Sequence, residues 1–209
     1  MGLIIENIRS DDALTRARTE AFLLENADPG VRLRPHEQLD RAIDSGQGLL
    51  ISDNDRICGV SLVYQYDPGN NDLVSYEIGT MRITAGGYRL QEFLAKLHLV
   101  QIFLEDDNSR GDIFAVVSPG TASHHNLEKH VAMISWTPPD LLAMLRRNSG
   151  VPFAPEKLVL RADEAAIKLA FAGLRSLHIE DNRFETPKGN SEIKILMGWF
   201  NPAVLDIFG

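Results

Sequence analysis

Residues 75–104 constrain the fold most, because they have the pattern of a strand, a glycine turn and a long helix. The strand pattern covers residues 75–83, and Gly86 and Gly87 lie in the turn. From Arg89 onward, apolar residues recur at three- and four-residue spacing, which predicts a helix with one apolar stripe against a sheet. The first N–H groups of such a helix have no partner within it and suit a phosphate or pyrophosphate. The pattern also fits a simple β–α connection.

The composition favours one large domain, or one domain with a substantial extension, in a chain of 209 residues that is 44% hydrophobic. The single cysteine, Cys58, excludes an intramolecular disulfide and a multi-cysteine zinc site. We expect neither a signal peptide nor a membrane span, because the first residues carry no basic segment and no apolar run approaches about 18 residues. One cysteine is compatible with a reducing compartment, so we expect a cytoplasmic protein without a membrane partner.

The charge of the chain bears on its partners. A formal net charge of −8 argues against broad nucleic-acid binding, because a phosphate backbone attracts basic surfaces. The same charge mildly favours a cationic partner or substrate. The more common alternative is that acidity only keeps a protein soluble.

The periodicity of the first 136 residues predicts the element order β-α-α-β-β-β-α-β-α-β, which is typical of a mixed α/β layer structure. Residues 113–118 have the continuous apolar pattern of a central strand. Residues 131–136 have the pattern of another strand, and residues 180–190 that of a loop. We therefore expect an α/β fold with a mixed central sheet flanked by helices.

A pair of prolines, Pro138 and Pro139, marks the most evident boundary in the chain. We expect residues 1–136 to form the core of the fold. Strand and helix patterns continue beyond the prolines without a flexible linker. Residues 137–209 are therefore interpreted as a C-terminal α/β extension packed on the same core.

Three segments match local patterns of one protein family, in the family's own order. Residues 53–63 look like its hairpin, residues 81–94 like its acyl-CoA segment, and residues 114–130 like its penultimate strand and helix. Over residues 3–136 the chain thus resembles the GNAT superfamily of acyl-CoA-dependent N-acyltransferases. The resemblance implies acetyl-CoA or another acyl-CoA as co-substrate, no metal, and a primary amine of a small molecule or protein as acceptor.

The resemblance also implies that the pyrophosphate of CoA binds where the long helix begins. Its contacts would be backbone N–H groups of five consecutive residues, Gly87, Tyr88, Arg89, Leu90 and Gln91. The family's turn has an Arg or Gln followed by two helix-side glycines, and without gaps these positions are Gly86, Arg89 and Gln91. Both glycines are therefore replaced. Arg89 either crowds the pyrophosphate or binds a phosphate oxygen with its own charge.

The later helix departs from the family as well. Leu127 falls where the family often has a Tyr that protonates the leaving thiolate, and a leucine cannot donate a proton. Either Ser123, His124, His125 or water serves instead, or no acid is needed. A metal site at His124, His125 and His130 is disfavoured, because none of their pairings has the i, i+4 spacing.

Glu77 is the candidate general base. An ammonium group has a pKa of about 10, so an acceptor amine must lose a proton before it can attack the acyl group. Glu77 lies on the predicted central strand, and some members of the GNAT superfamily use a Glu on this strand. The alternative is a structural Glu near a sheet edge, either solvated or paired with an arginine.

The backbone of the same strand is the candidate binding surface for the pantetheine arm. A strand that diverges from its neighbour leaves N–H and C=O groups that a ligand can pair with. Gly79, Thr80 and Met81 occupy the matching family positions. We expect the strands at residues 75–83 and 113–118 to run parallel and to separate at their C-terminal ends. The alternative is a fully paired interior strand.

Several other residues have two interpretations. Tyr64, Tyr66 and Tyr76 either line a substrate cleft or only pack, and the first two of them share a strand face. His98 lies near the stripe of the long helix and is expected at the edge of the core. Trp199 and Phe200 either cover the core or form a homodimer contact.

The functional prediction is an N-acyltransferase, most simply an N-acetyltransferase, in which the amine attacks acyl-CoA directly with the help of a general base. The replaced glycines and the missing Tyr favour an alternative, a weak or inactive CoA-binding sensor or interaction module. A third interpretation is an enzyme for longer acyl chains or another nucleophile.

Overall fold

The structure, a computed structural model, describes residues 2–8, 11–27, 34–66, 73–84, 90–105, 110–137, 157–177, 183–185 and 192–208. Its strands are β1 (Gly2–Asn7), β2 (Leu49–Asp53), β3 (Arg56–Tyr66), β4 (Val74–Ile83), β5 (Arg110–Val117), β6 (Ile134–Ser135), β7 (Leu158–Ala162), β8 (Arg183–Glu185) and β9 (Glu192–Leu196). Its helices are α1 (Ala13–Glu25), α2 (His36–Asp44), α3 (Leu90–Glu105), α4 (Ala122–Val131), α5 (Glu164–Arg175) and a 3₁₀ helix (Pro202–Phe208).

The strands form one mixed sheet in the order β6-β7-β5-β4-β3-β2-β1-β9-β8. Strands β1 to β4 are antiparallel neighbours, whereas β4 and β5 run parallel. On one side β7 lies antiparallel to β5, and on the other side β9 lies parallel to β1. The predicted fold class, a mixed central sheet flanked by helices, is confirmed.

Side-chain alternation along β3 divides the core between the two faces of the sheet. Val63 belongs to the cluster that includes the buried residues of α3, α4, α5 and the 3₁₀ helix. Leu62 and Tyr64 belong to a second cluster with Phe22 and Leu23 of α1 and residues of α2. We call these two sides the α3 face and the α1 face.

Short polar side chains cap the N-termini of several helices. Asp12 accepts hydrogen bonds from the N–H groups of Leu14 and Thr15 at the start of α1. Asp163 accepts one from the N–H of Ala166 at the start of α5. Each cap satisfies donors that have no partner inside the helix, which fixes where the helix begins.

Three local predictions differ from the structure. The strand predicted at residues 131–136 is only the two-residue β6, because α4 continues to Val131 before Ala132 adopts a left-handed φ of 57°. The loop predicted at residues 180–190 contains β8, which pairs with β9. His98 was expected at the edge of the core, but it has 0% exposure because it lies on the side of α3 that packs against the sheet.

Strands that follow residue 137 complete the sheet on both sides. β7 pairs with β5, and β9 pairs with β1, so the described later residues share the sheet with the earlier ones. A domain division near residue 137 stays a prediction. Among the helices of the described residues, none has both the length and the apolar character needed to cross a membrane.

Candidate active site

The candidate site lies where β4 and β5 separate. Their parallel pairing begins at Val74 and Arg110 and ends at Glu77 and Phe114. Beyond that point β5 continues to pair with β7 as far as Val117, while β4 continues to Ile83 without a β5 partner among the described residues. The predicted separation of the two strands at their C-terminal ends is confirmed by this pairing pattern. In the described part of the chain, the edge of β4 beyond Glu77 that faces β5 has no strand partner, and we call it the open edge.

A β-bulge lies in the part of β4 beyond this last pair. Val60 of β3 lies opposite Arg82, but Leu62 lies opposite Gly79, so β4 contains one extra residue between these two pairs. Thr80, within this stretch, has a left-handed φ of 40°. A bulge bends its strand and leaves a residue unpaired. The segment Gly79–Thr80–Met81, predicted to bind pantetheine through its backbone, is therefore irregular and lies beside the open edge.

Gly79 has a steric role that the sequence did not reveal. A Cβ atom at this position would lie 3.1 Å from Tyr64 Cε2 and 3.4 Å from Glu77 Oε1. The missing side chain lets the Tyr64 ring lie across β4. The Tyr64 hydroxyl then reaches Thr80 Oγ1 at 2.5 Å. Gly79 thus connects the packing of the α1 face with the conformation of the bulge.

Glu77 lies at the last β4–β5 pair, and its side chain is on the α1 face. It is only 1% exposed. Arg34 donates a hydrogen bond from Nη2 to Glu77 Oε1, and the Tyr66 hydroxyl donates one to Glu77 Oε2 at 2.5 Å. Arg34 Nη1 also donates to the Tyr66 hydroxyl at 3.1 Å. Glu77 is thus central in the sheet rather than at its edge, and an arginine is paired with it.

Burial and charge keep the cluster in a defined protonation pattern. Burial raises the pKa of Tyr64 to about 12. Burial, together with the charge of Glu77, raises the pKa of Tyr66 as well. Burial opposes the charge of Arg34, but Glu77 and the two tyrosines outweigh it and raise the arginine's pKa. Both phenols therefore keep their protons at neutral pH, and Arg34 stays cationic.

The first turns of α3 and α4 lie side by side near the same end of the sheet. Gln91 Nε2 donates a hydrogen bond to Ser123 Oγ at 2.6 Å, and Asn126 Nδ2 donates to Gln91 Oε1 at 3.0 Å. The side chain of Leu90 is buried in the core, so only its backbone is suited to a ligand. Two adjacent helix N-termini present partial positive charge to an anion. Gly86, Gly87, Tyr88 and Arg89 lie outside the described residues.

The candidate proton donors differ in their contacts. Gln91 donates to Ser123 Oγ, which leaves the serine's own O–H to act as a donor. His124 Nδ1 accepts from the Gly120 N–H at 3.1 Å, and its Nε2 lies 3.2 Å from Glu128 Oε2. Both nitrogens of His124 are therefore directed at its own helix and the preceding turn. Leu127, at the family's Tyr position, is a buried core residue.

A group of metal-ligand types occurs away from this site. In the described part of the chain, ligand atoms of Glu20, His36 and Asp40 lie within 4.8 Å of one another. Arg16 already supplies a positive charge to both carboxylates of this group, because its guanidinium lies 2.8 Å from Asp40 and 3.8 Å from Glu20. The arrangement is that of a surface ion-pair network joining α1 and α2.

Comparisons with known proteins identify the fold. No protein-family model matches the sequence, and no curated protein matches it. Naa50 of Arabidopsis thaliana, in complex with the bisubstrate analogue CoA-Ac-MVNAL, has a TM-score of 0.55 and 16% identity, over 78% of this chain and 99% of that one. The NatC complex bound to Gag peptide and CoA has a TM-score of 0.53 and 16% identity, over 78% of this chain and 100% of that one. An acetyltransferase of Streptococcus agalactiae has a TM-score of 0.51 and 11% identity, over 77% of this chain and 98% of that one.

These similarities are similarities of fold. They confirm, at that level, the resemblance to the GNAT superfamily that the sequence indicates. They cover 77–78% of this chain, which is a longer part of it than residues 3–136, where the sequence shows the resemblance. The chain therefore has the fold of GNAT acetyltransferases.

Proposed function

We propose that this protein is an acyl-CoA-dependent N-acyltransferase that transfers an acyl group, most simply acetyl, to a primary amine. The observation that carries the proposal is the position of Glu77. This buried carboxylate stands at the last β4–β5 pair, beside the open edge of β4. A carboxylate at the point where two parallel strands separate is within reach of a thioester that pairs with the open edge.

The donor, acetyl-CoA or another acyl-CoA, would bind along β4. Its pantetheine arm would pair with the backbone of Gly79, Thr80 and Met81 in the manner of an added strand. Its pyrophosphate would lie at the N-termini of α3 and α4, which Gln91 connects. The proposed contacts at Gly87, Tyr88 and Arg89 rest on the sequence pattern.

The reaction needs one proton acceptor and one proton donor. Glu77 takes a proton from the acceptor's ammonium, directly or through a water, and the neutral amine attacks the thioester carbonyl. The C–N bond forms, the C–S bond breaks, the electron pair of that bond leaves on the CoA sulfur, and the second proton of the attacking nitrogen passes through water to the thiolate. Ser123 and His124 stay predictions as donors to this thiolate, and the contact of Ser123 with Gln91, at the proposed pyrophosphate end of the donor, favours water in that role.

Two of the similar structures support an amine acceptor. Naa50 was determined with an analogue that joins CoA to an acetylated peptide, and the NatC complex was determined with a peptide and CoA. By analogy, the acceptor proposed here is the amine of a peptide or of a small molecule. A cytoplasmic location and a homodimer stay predictions from the sequence.

The test is turnover of acetyl-CoA with a panel of primary amines, measured as thiol release. Glu77→Gln should lower kcat by about 100-fold or more because the proton acceptor is lost, and it should change CoA affinity little. Glu164→Gln is the control, since this exposed carboxylate of α5 pairs with Lys168 on the same helix. Thermal melting of each variant checks that the fold is retained. Unchanged turnover in Glu77→Gln would return Glu77 to a structural role.

The second candidate function, a CoA-binding sensor or interaction module, is favoured by the burial of Leu127 at the family's acid position. Acyl-CoAs should then raise the melting temperature without any thiol release over the amine panel. Thiol release that depends on an amine would exclude the sensor interpretation.

A further inference from the structure

We propose that Arg34 occupies the binding site for the acceptor's ammonium group, and that a cationic amine substrate displaces it. The inference rests on the proposed function and deepens it, since it identifies the acceptor as a cation and Arg34 as an internal competitor. It begins from a cluster in which one guanidinium meets a carboxylate, a phenol and an aromatic face.

The contacts of Arg34 are those that bind an alkylammonium. Its guanidinium donates to Glu77 Oε1 and to the Tyr66 hydroxyl, and its Cζ lies 4.9 Å from the centroid of the Tyr64 ring. A carboxylate beside an aromatic face attracts a cation through charge and through the ring quadrupole. An ammonium needs the same three partners, so the site that holds Arg34 is already built for it.

The exposure of the cluster indicates the route of entry. The side chain of Arg34 is 22% exposed, whereas that of Glu77 is 2% exposed. Tyr64 and Tyr66 are each 4% exposed. Of these four residues, Arg34 is the most exposed, and from this we infer that it lies between solvent and the carboxylate. Its guanidinium must leave before any ligand reaches Glu77 from the α1 face.

Sequence position supports displacement as well. Arg34 precedes α2 and reaches the central strand from outside the sheet, whereas its three partners belong to β3 and β4. Glu77, Tyr64 and Tyr66 can therefore keep their positions when the guanidinium leaves. The exchange of one cation for another also keeps Glu77 neutralised, which avoids leaving a buried charge unpaired.

The consequence is a tighter site when Arg34 is removed. A ligand that binds only when the guanidinium is out has its apparent affinity reduced by the fraction of open molecules. Arg34→Ala should therefore lower KM for a cationic amine by about tenfold or more. A neutral amine lacks the charge that Glu77 attracts, so it should gain much less.

The direct probe is ethylguanidinium, a truncated copy of the displaced side chain, at millimolar concentration and constant ionic strength. Ethylurea is its matched neutral control. Arg34→Ala should melt below the wild type, because Glu77 loses its partner, and ethylguanidinium should raise that melting temperature. Ethylurea should not. The double variant Arg34→Ala/Glu77→Gln should respond to neither, and the wild type should need about tenfold more ethylguanidinium for an equal shift.

The outcomes separate this inference from the proposed function. The inference is wrong if ethylguanidinium raises the melting temperature of Arg34→Ala no more than ethylurea does. It is also wrong if ethylguanidinium raises it no more than it raises that of the double variant. In either case Arg34 has only a structural role. The inference is also wrong if the wild type acylates cationic amines while Arg34→Ala leaves their KM unchanged or higher. If ethylguanidinium and ethylammonium bind Arg34→Ala but neither protein releases thiol, the cation site stands and the acyltransferase proposal fails. If Arg34→Ala does not fold, Arg34→Gln, which keeps most of the volume without the charge, replaces it in every comparison.

Discussion

The pH dependence of stability should carry a large contribution from His98. This residue of α3 is fully buried, and its Nε2 lies 2.8 Å from Ser61 Oγ on β3. Its Nδ1 has no hydrogen-bond partner in the described part of the chain. Burial without a counter-charge disfavours the imidazolium and lowers the pKa of His98 to about 3.

The sign and size of the effect follow from linkage. The unfolded chain binds a proton at His98 below about pH 6.5, whereas the native chain does not until about pH 3. Stability is therefore lost as pH falls below about 6.5, and the loss grows until about pH 3. Between about pH 8 and pH 5, His98 alone should lower the free energy of unfolding by about 2 kcal/mol.

The assay is urea unfolding of the wild type and His98→Gln at these two pH values. A glutamine keeps a polar partner for Ser61 but does not titrate, so the variant should lose about 2 kcal/mol less between the two pH values than the wild type does. Ser61→Ala is the control, because it removes the hydrogen bond and keeps the imidazole. An equal pH dependence in His98→Gln and the wild type would refute the argument from burial.

Three further substitutions test the site. Gly79→Ala should lower the free energy of unfolding by about 1–3 kcal/mol, because the added Cβ would lie 3.1 Å from the Tyr64 ring. Urea unfolding measures this free energy, and an unchanged value would contradict the close packing. Gln91→Ala should weaken CoA binding about fivefold in calorimetry, since the link to Ser123 is lost; unchanged affinity would exclude that link from the donor site. Leu127→Tyr should cost about 1–3 kcal/mol of stability without raising kcat, because the position is a filled core site; a faster, stable variant would show room for the family's acid there.

The order of elements could be predicted because it depends on local patterns. The apolar stripe of α3 and the apolar run of β5 are visible in the sequence as local patterns, and the structure has both elements within about three residues of the predicted bounds. Glu77 could be chosen because carboxylates are rare in apolar strands. The parallel pairing of β4 and β5 then followed from the resemblance.

The contacts of the site could not be predicted, because they join residues far apart in the chain. Arg34 and Glu77 are 43 residues apart, and no local pattern connects the residue before α2 with a central strand. The bulge at Thr80 depends on the register between β3 and β4, which periodicity alone does not fix. Strand β8 was missed because three residues are too short to show alternation.

Hydrogen exchange with and without acetyl-CoA tests most directly whether the donor binds where β4 and β5 separate. The amides of Gly79, Thr80 and Met81 should become protected together with those at the start of α3, while β2, on the far side of β3, should exchange as before. Protection at β4 would match a pantetheine arm paired with its open edge. Unchanged exchange at residues 79–81 under saturating acetyl-CoA would contradict the proposed site, and with it the role of Glu77.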